Sequence, residues 1–203
     1  MTSSSTLNPD AGSAGRRERK KAETRAKIAD AALELFLDRG YNDVTIREVA
    51  EHADVALATV FAHFSGKEAL VFDENDAIFA SLIAAVRSRS ADVDPIDAIQ
   101  AWFVNSRASR AAGHLGDADY TQFRALVTQT PVLHAYWQTT WRRHRPELSH
   151  ALSESSALEA DAAEVAATFI IEGYLLAIDR TDFDSVISLA LDAVRKGLLP
   201  PAA

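Results

Sequence analysis

A chain of 203 residues, 48% hydrophobic and 25% charged, has an ordinary globular balance and the length for one large domain or two small ones. It contains no cysteine, which excludes a disulfide framework and a thiolate metal site. The net charge of −8 argues against a nucleic-acid partner only until it is divided along the chain: residues 16–27, RRERKKAETRAK, carry +5, whereas residues 28–203 carry −12.

The first fifteen residues have no apolar core of signal-peptide length and read as a disordered tail. Later apolar runs are broken by charge well short of a membrane span, so the expected setting is cytoplasmic, with no membrane partner. A basic arm such as 16–27 neutralises phosphates when it runs beside a DNA reader, which makes Arg25 and Lys27 candidate DNA contacts. Taken by itself, a charge run is more often a solvated face.

The first predicted helix spans Glu23 to Arg39, with Ile28, Ala31, Ala32, Leu35 and Phe36 on one face and Gly40 placed to stop it. Thr45-Ile46-Arg47-Glu48 then has the spacing of a capping box, in which the threonine hydroxyl and the glutamate satisfy each other's early helical N–H groups. A short helix over Ile46–His52, a turn at Ala53-Asp54-Val55 and a second short helix over Ala56–Phe64 follow as a helix-turn-helix pattern. Ser65-Gly66-Lys67-Glu68 repeats the capping-box spacing and predicts one helix from Lys67 to about Ser90. The expected division is therefore a DNA-binding domain over 16–66 and a second helical domain over 67–203.

Asp94-Pro95 predicts a helix to about Ala112, closed by Gly113 and Gly116, and another covers Asp117 to Gln129. Thr130-Pro131 starts a helix through Leu133, Trp137 and Trp141 that Pro146 breaks, with a last piece to about Ser153. Two final helices read Glu159–Asp179 and Asp182–Lys196, with Gly197 as a stop. No strand pattern, repeat or glycine-rich phosphate loop occurs, so the fold class is all-α.

Val165 to Ile178 is apolar on nearly every face, interrupted mainly by Thr168, Glu172 and Gly173. Such a helix must be covered on all sides, and one small domain hardly buries it together with the last helix. The expectation is a homodimer in which the last two helices pair with their copies. Trp102, Phe103, Tyr120, Phe123, Trp137 and Trp141, with Phe169 from the apolar helix, are candidates to line a cavity for an apolar or aromatic ligand. For any single one of them, ordinary core is the commoner role. Glu172, inside the apolar run, is the best candidate for a buried carboxylate that bonds a ligand or ties two subunits together, with emergence at a helix edge as the alternative. His144 and His150 are six apart, and His114, Asp117 and Asp119 lack ligand spacing, so no metal or other cofactor is expected. No nucleophile elbow or other catalytic signature appears, and enzymatic activity is not expected.

From Glu34 to Leu70 the chain resembles the TetR (tetracycline repressor) family of bacterial regulators. Phe36, Gly40, Tyr41, Thr45, Ala50, Val55, Thr59, Phe61, His63, Phe64, Lys67, Glu68 and Leu70 carry the resemblance. It implies a homodimeric transcriptional repressor on a near-palindromic double-stranded DNA operator, released when a small molecule bound among the later helices alters the spacing of the two reading heads. It further implies that Thr45 and Lys67 hold phosphates, that Arg47 reaches a guanine edge or a phosphate, and that Thr59, Phe61 and His63 face DNA. A helix-end cap is the alternative role for His63.

Three residues depart from the family's pattern: Asp54 stands for the usual turn glycine, Ala56 for a hydroxyl cap, and Phe61 for tyrosine. Leu57, Ala58 and Ala62 leave the recognition helix nearly without polar side chains. Its sequence choice would then rest on thymine-methyl contact, Arg47 and DNA shape. A competing reading is a helical adaptor that keeps the fold but works by protein contact.

Overall fold

The computed structural model describes the backbone of residues 10–112, 117–155, 158–180 and 182–198, and the side chains of 15–106, 121–155, 158–180 and 182–197. Eleven helices and no strand occur among the described residues, and these fall into two compact units, Met1–Asp73 and Glu74–Ala203. The division lies beyond the expected break after Gly66. No helix among the described residues is long and apolar enough to cross a membrane.

The first unit holds α1 (Asp10–Arg39), α2 (Ile46–His52), α3 (Leu57–His63) and α4 (Lys67–Val71). Helix α1 starts well before the expected Glu23 and takes in Asp10–Gly15, part of the segment read as disordered tail. Arg, Lys, Glu and Ala are good helix formers, so the basic stretch extends the helix once the apolar face at Ile28–Phe36 anchors it. Ile28, Ala31, Ala32 and Phe36 are buried, and Leu35 is half-buried. Gly40 ends the helix at φ +85°, donating its N–H to the Phe36 carbonyl.

The Thr45–Glu48 box forms in full: the Glu48 N–H donates to the Thr45 hydroxyl oxygen, and the Glu48 carboxylate accepts from the Thr45 N–H at 2.7 Å. Arg39 joins it at 2.7 Å. The backbone bond from Thr45, then Arg39, lower the Glu48 carboxyl pKa to about 2, so the cap keeps its charge until pH falls close to that value. The turn into α3 is made by Asp54 at φ +49°, a left-handed residue where glycine is the usual choice. The Val55 N–H closes it on the Ala50 carbonyl at 2.9 Å.

Helix α3 begins without a side-chain cap, because Ala56 has no acceptor to offer. Ala56→Ser is expected to raise stability by roughly 0.5–1 kcal/mol, read from denaturant midpoints. No gain would mean that another group already satisfies these N–H donors.

Two expectations for the segment after α3 are corrected. Ser65 does not close a second capping box; α4 starts from Gly66 without a side-chain cap, and the Glu68 carboxylate instead accepts from the Tyr41 hydroxyl at 2.9 Å. Nor does one helix run from Lys67 to Ser90. Leu70, Val71 and Phe72 are buried in the first unit, the chain turns at Phe72–Glu74, and α5 (Asn75–Arg87) opens the second.

The second unit continues with α6 (Pro95–Ala112), α7 (Asp117–Gln129), α8 (Pro131–Arg143), α9 (Arg145–Ser155), α10 (Ala160–Ile178) and α11 (Phe183–Leu198). Asp94 caps α6 by accepting from the Ile96 N–H at 2.7 Å. The expected closers Gly113 and Gly116 lie outside the described residues, as does His114. Gly197, expected as a stop, lies inside α11.

Helix α10 packs against α8, α9 and α11, burying among others Ala166, Ile170, Tyr174 and Ala177. Full burial of a side chain such as Ile170 is worth about 1.5–3 kcal/mol. Gly173 sets its crossing with α11: a Cβ there would lie 2.4 Å from the Ala190 Cβ, so the two backbones approach as closely as they do only because that atom is missing.

Candidate nucleic-acid interface and aromatic core

Helix α3 is held to the first unit through Val60, which is 1% exposed, and through Phe64 just beyond its end. One helical turn apart on its outer face, Ala58, Phe61 and Ala62 are exposed, Phe61 to 56%; Leu57, Thr59 and His63 are half-buried. The surface that α3 offers is thus apolar apart from Thr59 and His63. Arg47 on α2 is exposed, Lys27 on α1 is exposed, and Thr45 is exposed with its hydroxyl engaged in the cap.

The other two expected cationic contacts have internal partners. The Lys67 ammonium donates to the Tyr41 carbonyl and lies 4.1 Å from the Tyr41 ring centroid and 5.5 Å from that of Phe36. Burial pulls its pKa below the ordinary lysine value. Arg25 donates to the His63 carbonyl, pairs with Asp73 at 2.5 Å, and lies over the Phe64 ring at 4.3 Å. His63 sits in the last turn of α3, with its ring Nδ1 buried and unpartnered. Sequence reasoning missed Asp73 altogether; a lone aspartate after an apolar run carries no signal of its partner.

In the second unit the aromatic candidates divide. Trp102, Phe103, Trp137 and Trp141 are buried and join one cluster with Phe79, Tyr174 and Phe183. Tyr174 is its centre: its ring stacks on Phe103 at 5.2 Å and packs against Trp141 at 4.2 Å and Trp137 at 5.5 Å. The sequence reading singled out Glu172 on this helix and passed over Tyr174, although Tyr174 shares a helical face with Ile170 and Ala177. Trp102 donates its indole N–H to the Ser81 hydroxyl at 2.9 Å, whereas the Trp141 indole N–H is buried with no partner. Phe123 is half-buried in α7; the side chain of Tyr120 lies outside the described residues.

Two burial expectations are corrected. Glu172 is not buried: its side chain is 46% exposed, and both carboxylate oxygens accept from Arg142 of α8, at 2.7 and 2.9 Å. That pairing holds its pKa below the ordinary value. Phe169 is 53% exposed and sits in a stripe with Val165 and Leu176 on the outer face of α10, away from the aromatic cluster. An apolar run implies cover along the helix but does not say which of its positions the rest of the chain covers. No group of three or more His, Asp or Glu able to hold a metal occurs among the described residues.

A capped two-helix reader carrying an exposed, nearly apolar second helix beside a basic α1 defines a helix-turn-helix DNA-binding protein. Residues 28–73 match the family of bacterial regulatory proteins described as the tetR family. The chain is 29% identical over 150 residues to the HTH-type transcriptional regulator TcmR of Streptomyces glaucescens, a stretch covering 72% of this chain and 66% of TcmR. Its fold is similar to that of SmeT, repressor of the Stenotrophomonas maltophilia multidrug efflux pump SmeDEF: TM-score 0.54, 16% identity, 88% of this chain and 94% of that one. It is also similar to Thermus thermophilus FadR in complex with lauroyl-CoA: TM-score 0.52, 24% identity, 88% and 97% coverage. Residues 28–73 thus carry the DNA-binding domain of the tetR family of bacterial regulatory proteins, and over most of its length the chain is similar to a transcriptional regulator of this helix-turn-helix type.

Proposed function

We propose that this regulator is a repressor that occupies a near-palindromic operator as a homodimer and leaves it when a small apolar or aromatic effector binds the second unit. The observation that carries the effector reading is Trp141. It is 3% exposed within a seven-ring cluster, and its N–H has no partner. A buried donor left unpaired costs about 1–3 kcal/mol, which a ligand oxygen would recover. SmeT has been solved in complex with triclosan and FadR in complex with lauroyl-CoA, so ligands with an aromatic or acyl-chain portion accompany this fold elsewhere. The homodimer reading rests on Val165, Phe169 and Leu176 of α10 and Leu189 of α11, all exposed in the single chain, Leu189 to 72%.

The test starts from a duplex enriched from a random pool on the unaltered protein. Compounds that raise the melting temperature, beginning with triclosan and lauroyl-CoA, are then titrated against the complex. Repression released by an effector requires the stabilising compound to weaken duplex binding. If every stabiliser leaves the affinity unchanged, the effector reading fails. On the DNA side, Arg47→Ala is expected to weaken the selected duplex about tenfold or more. If its partner is a phosphate, the slope of log affinity against log salt also shrinks by about one. An unchanged affinity removes Arg47 from the interface.

A further inference from the structure

The charge run in α1 makes Arg25 look like a phosphate contact, but its guanidinium is bound on three sides inside the first unit. It donates to the backbone carbonyl of His63, the last residue of α3. It forms an ion pair with Asp73, whose side chain is 18% exposed. Its plane covers the ring of Phe64, the residue that ends α3.

Helix α3 needs such a hold. It is seven residues long, it has no side-chain cap at Ala56, and helices of that length have no stability of their own in water. The buried Nδ1 of the His63 ring has no hydrogen-bond partner. Val60 and Phe64 anchor the inner face by packing, which is non-directional. Arg25 is the directional contact at the helix end, and Asp73 fixes where Arg25 points. Burial raises the Asp73 pKa and the Arg25 charge opposes that rise, so Asp73 depends on Arg25 to stay charged.

We propose that the Arg25–Asp73 pair is a latch that orients the C-terminal end of the recognition helix, making both positioning residues for operator reading rather than phosphate contacts. The latch and simple electrostatics predict opposite signs for one substitution. Asp73→Asn removes a negative charge from the DNA-binding unit and would tighten DNA binding if charge alone mattered.

With the latch, Asp73→Asn weakens the selected duplex about tenfold while unselected DNA binds as before or tighter, so the specificity ratio falls. Arg25→Gln weakens the selected duplex similarly, and the double variant Arg25→Gln/Asp73→Asn is no worse than either single, because the second change removes nothing that remains. Arg25→Lys keeps the charge and folds most conservatively; it loses selected-duplex affinity with its salt slope unchanged, where a phosphate contact would keep its affinity. Affinities are read on protein confirmed folded by circular dichroism below its melting temperature. Asp73→Asn binding the selected duplex as tightly as the parent, additive losses in the double variant, or full affinity in Arg25→Lys would each overturn the proposal.

Discussion

Gly173→Val lowers stability by about 3 kcal/mol or more, seen as a fall of roughly 10 °C in melting temperature. The expectation rests on the α10–α11 crossing, where even a methyl group at Gly173 meets the Ala190 Cβ at 2.4 Å. Two effects compete at this position. Glycine in a helix interior is about 1 kcal/mol worse than alanine, so a substitution gains helix propensity. Overpacking costs about 1–3 kcal/mol for small intrusions and more for branched ones. The atom in the way is a Cβ fixed to its backbone, with no flexible end to swing aside, so the clash wins and the helices must part. Gly173→Ala therefore falls between parent and Gly173→Val. A valine variant melting within two or three degrees of the parent would show that α11 shifts freely, contrary to the packing described.

Ala58→Glu abolishes measurable operator binding, with a loss of at least about 100-fold, while the protein melts at the same temperature or slightly higher. Ala58 is exposed in the first turn of α3. On the proposed reading that this face of α3 meets DNA, a carboxylate there adds negative charge to the interface, and like-charge juxtaposition across an interface costs several kcal/mol. Within the free protein the same carboxylate lies beside the unpaired N–H groups of an uncapped helix start, a favourable contact of about 0.3–1 kcal/mol. Binding and stability thus move in opposite directions, which separates a groove-facing residue from one that merely supports the fold. Anisotropy titration with the selected duplex and a thermal melt decide it, with Ala58→Gln as the neutral control. Retained duplex affinity in Ala58→Glu would remove this face of α3 from the DNA interface.

Which parts of this molecule were legible in its sequence depended on how local the deciding contact is. The Thr45–Glu48 cap closes within four residues, and α2 follows as read; Asp94-Pro95 likewise starts α6 where expected. Ser65–Glu68 has the same spacing as Thr45–Glu48, but Tyr41, far back in the chain, takes the Glu68 carboxylate. No window around Ser65 holds that competitor. The break between α4 and α5 is hidden for the same reason, since Asp73 is held by Arg25, far back in the chain. Charge runs identify the basic segment but not which cation turns inward: Lys27 is exposed while Arg25 is engaged on three sides. Glu172 was misjudged because its partner Arg142 is on another helix, thirty residues earlier.

The placement of the tryptophans makes the two halves of the molecule optically distinct. The protein has three, Trp102, Trp137 and Trp141, all in the aromatic cluster of the second unit, and none in the first. Trp137 and Trp141 have ring centroids 6.4 Å apart at a steep interplanar angle, close enough for their excited states to couple. Indole emission excited beyond the tyrosine band therefore reports the aromatic cluster of the second unit, and the first unit, whose near-ultraviolet absorbers are Tyr41 and phenylalanines, does not contribute to it. Spectral changes on adding a compound belong to the second unit, and a probe placed on the first can be read beside them without overlap.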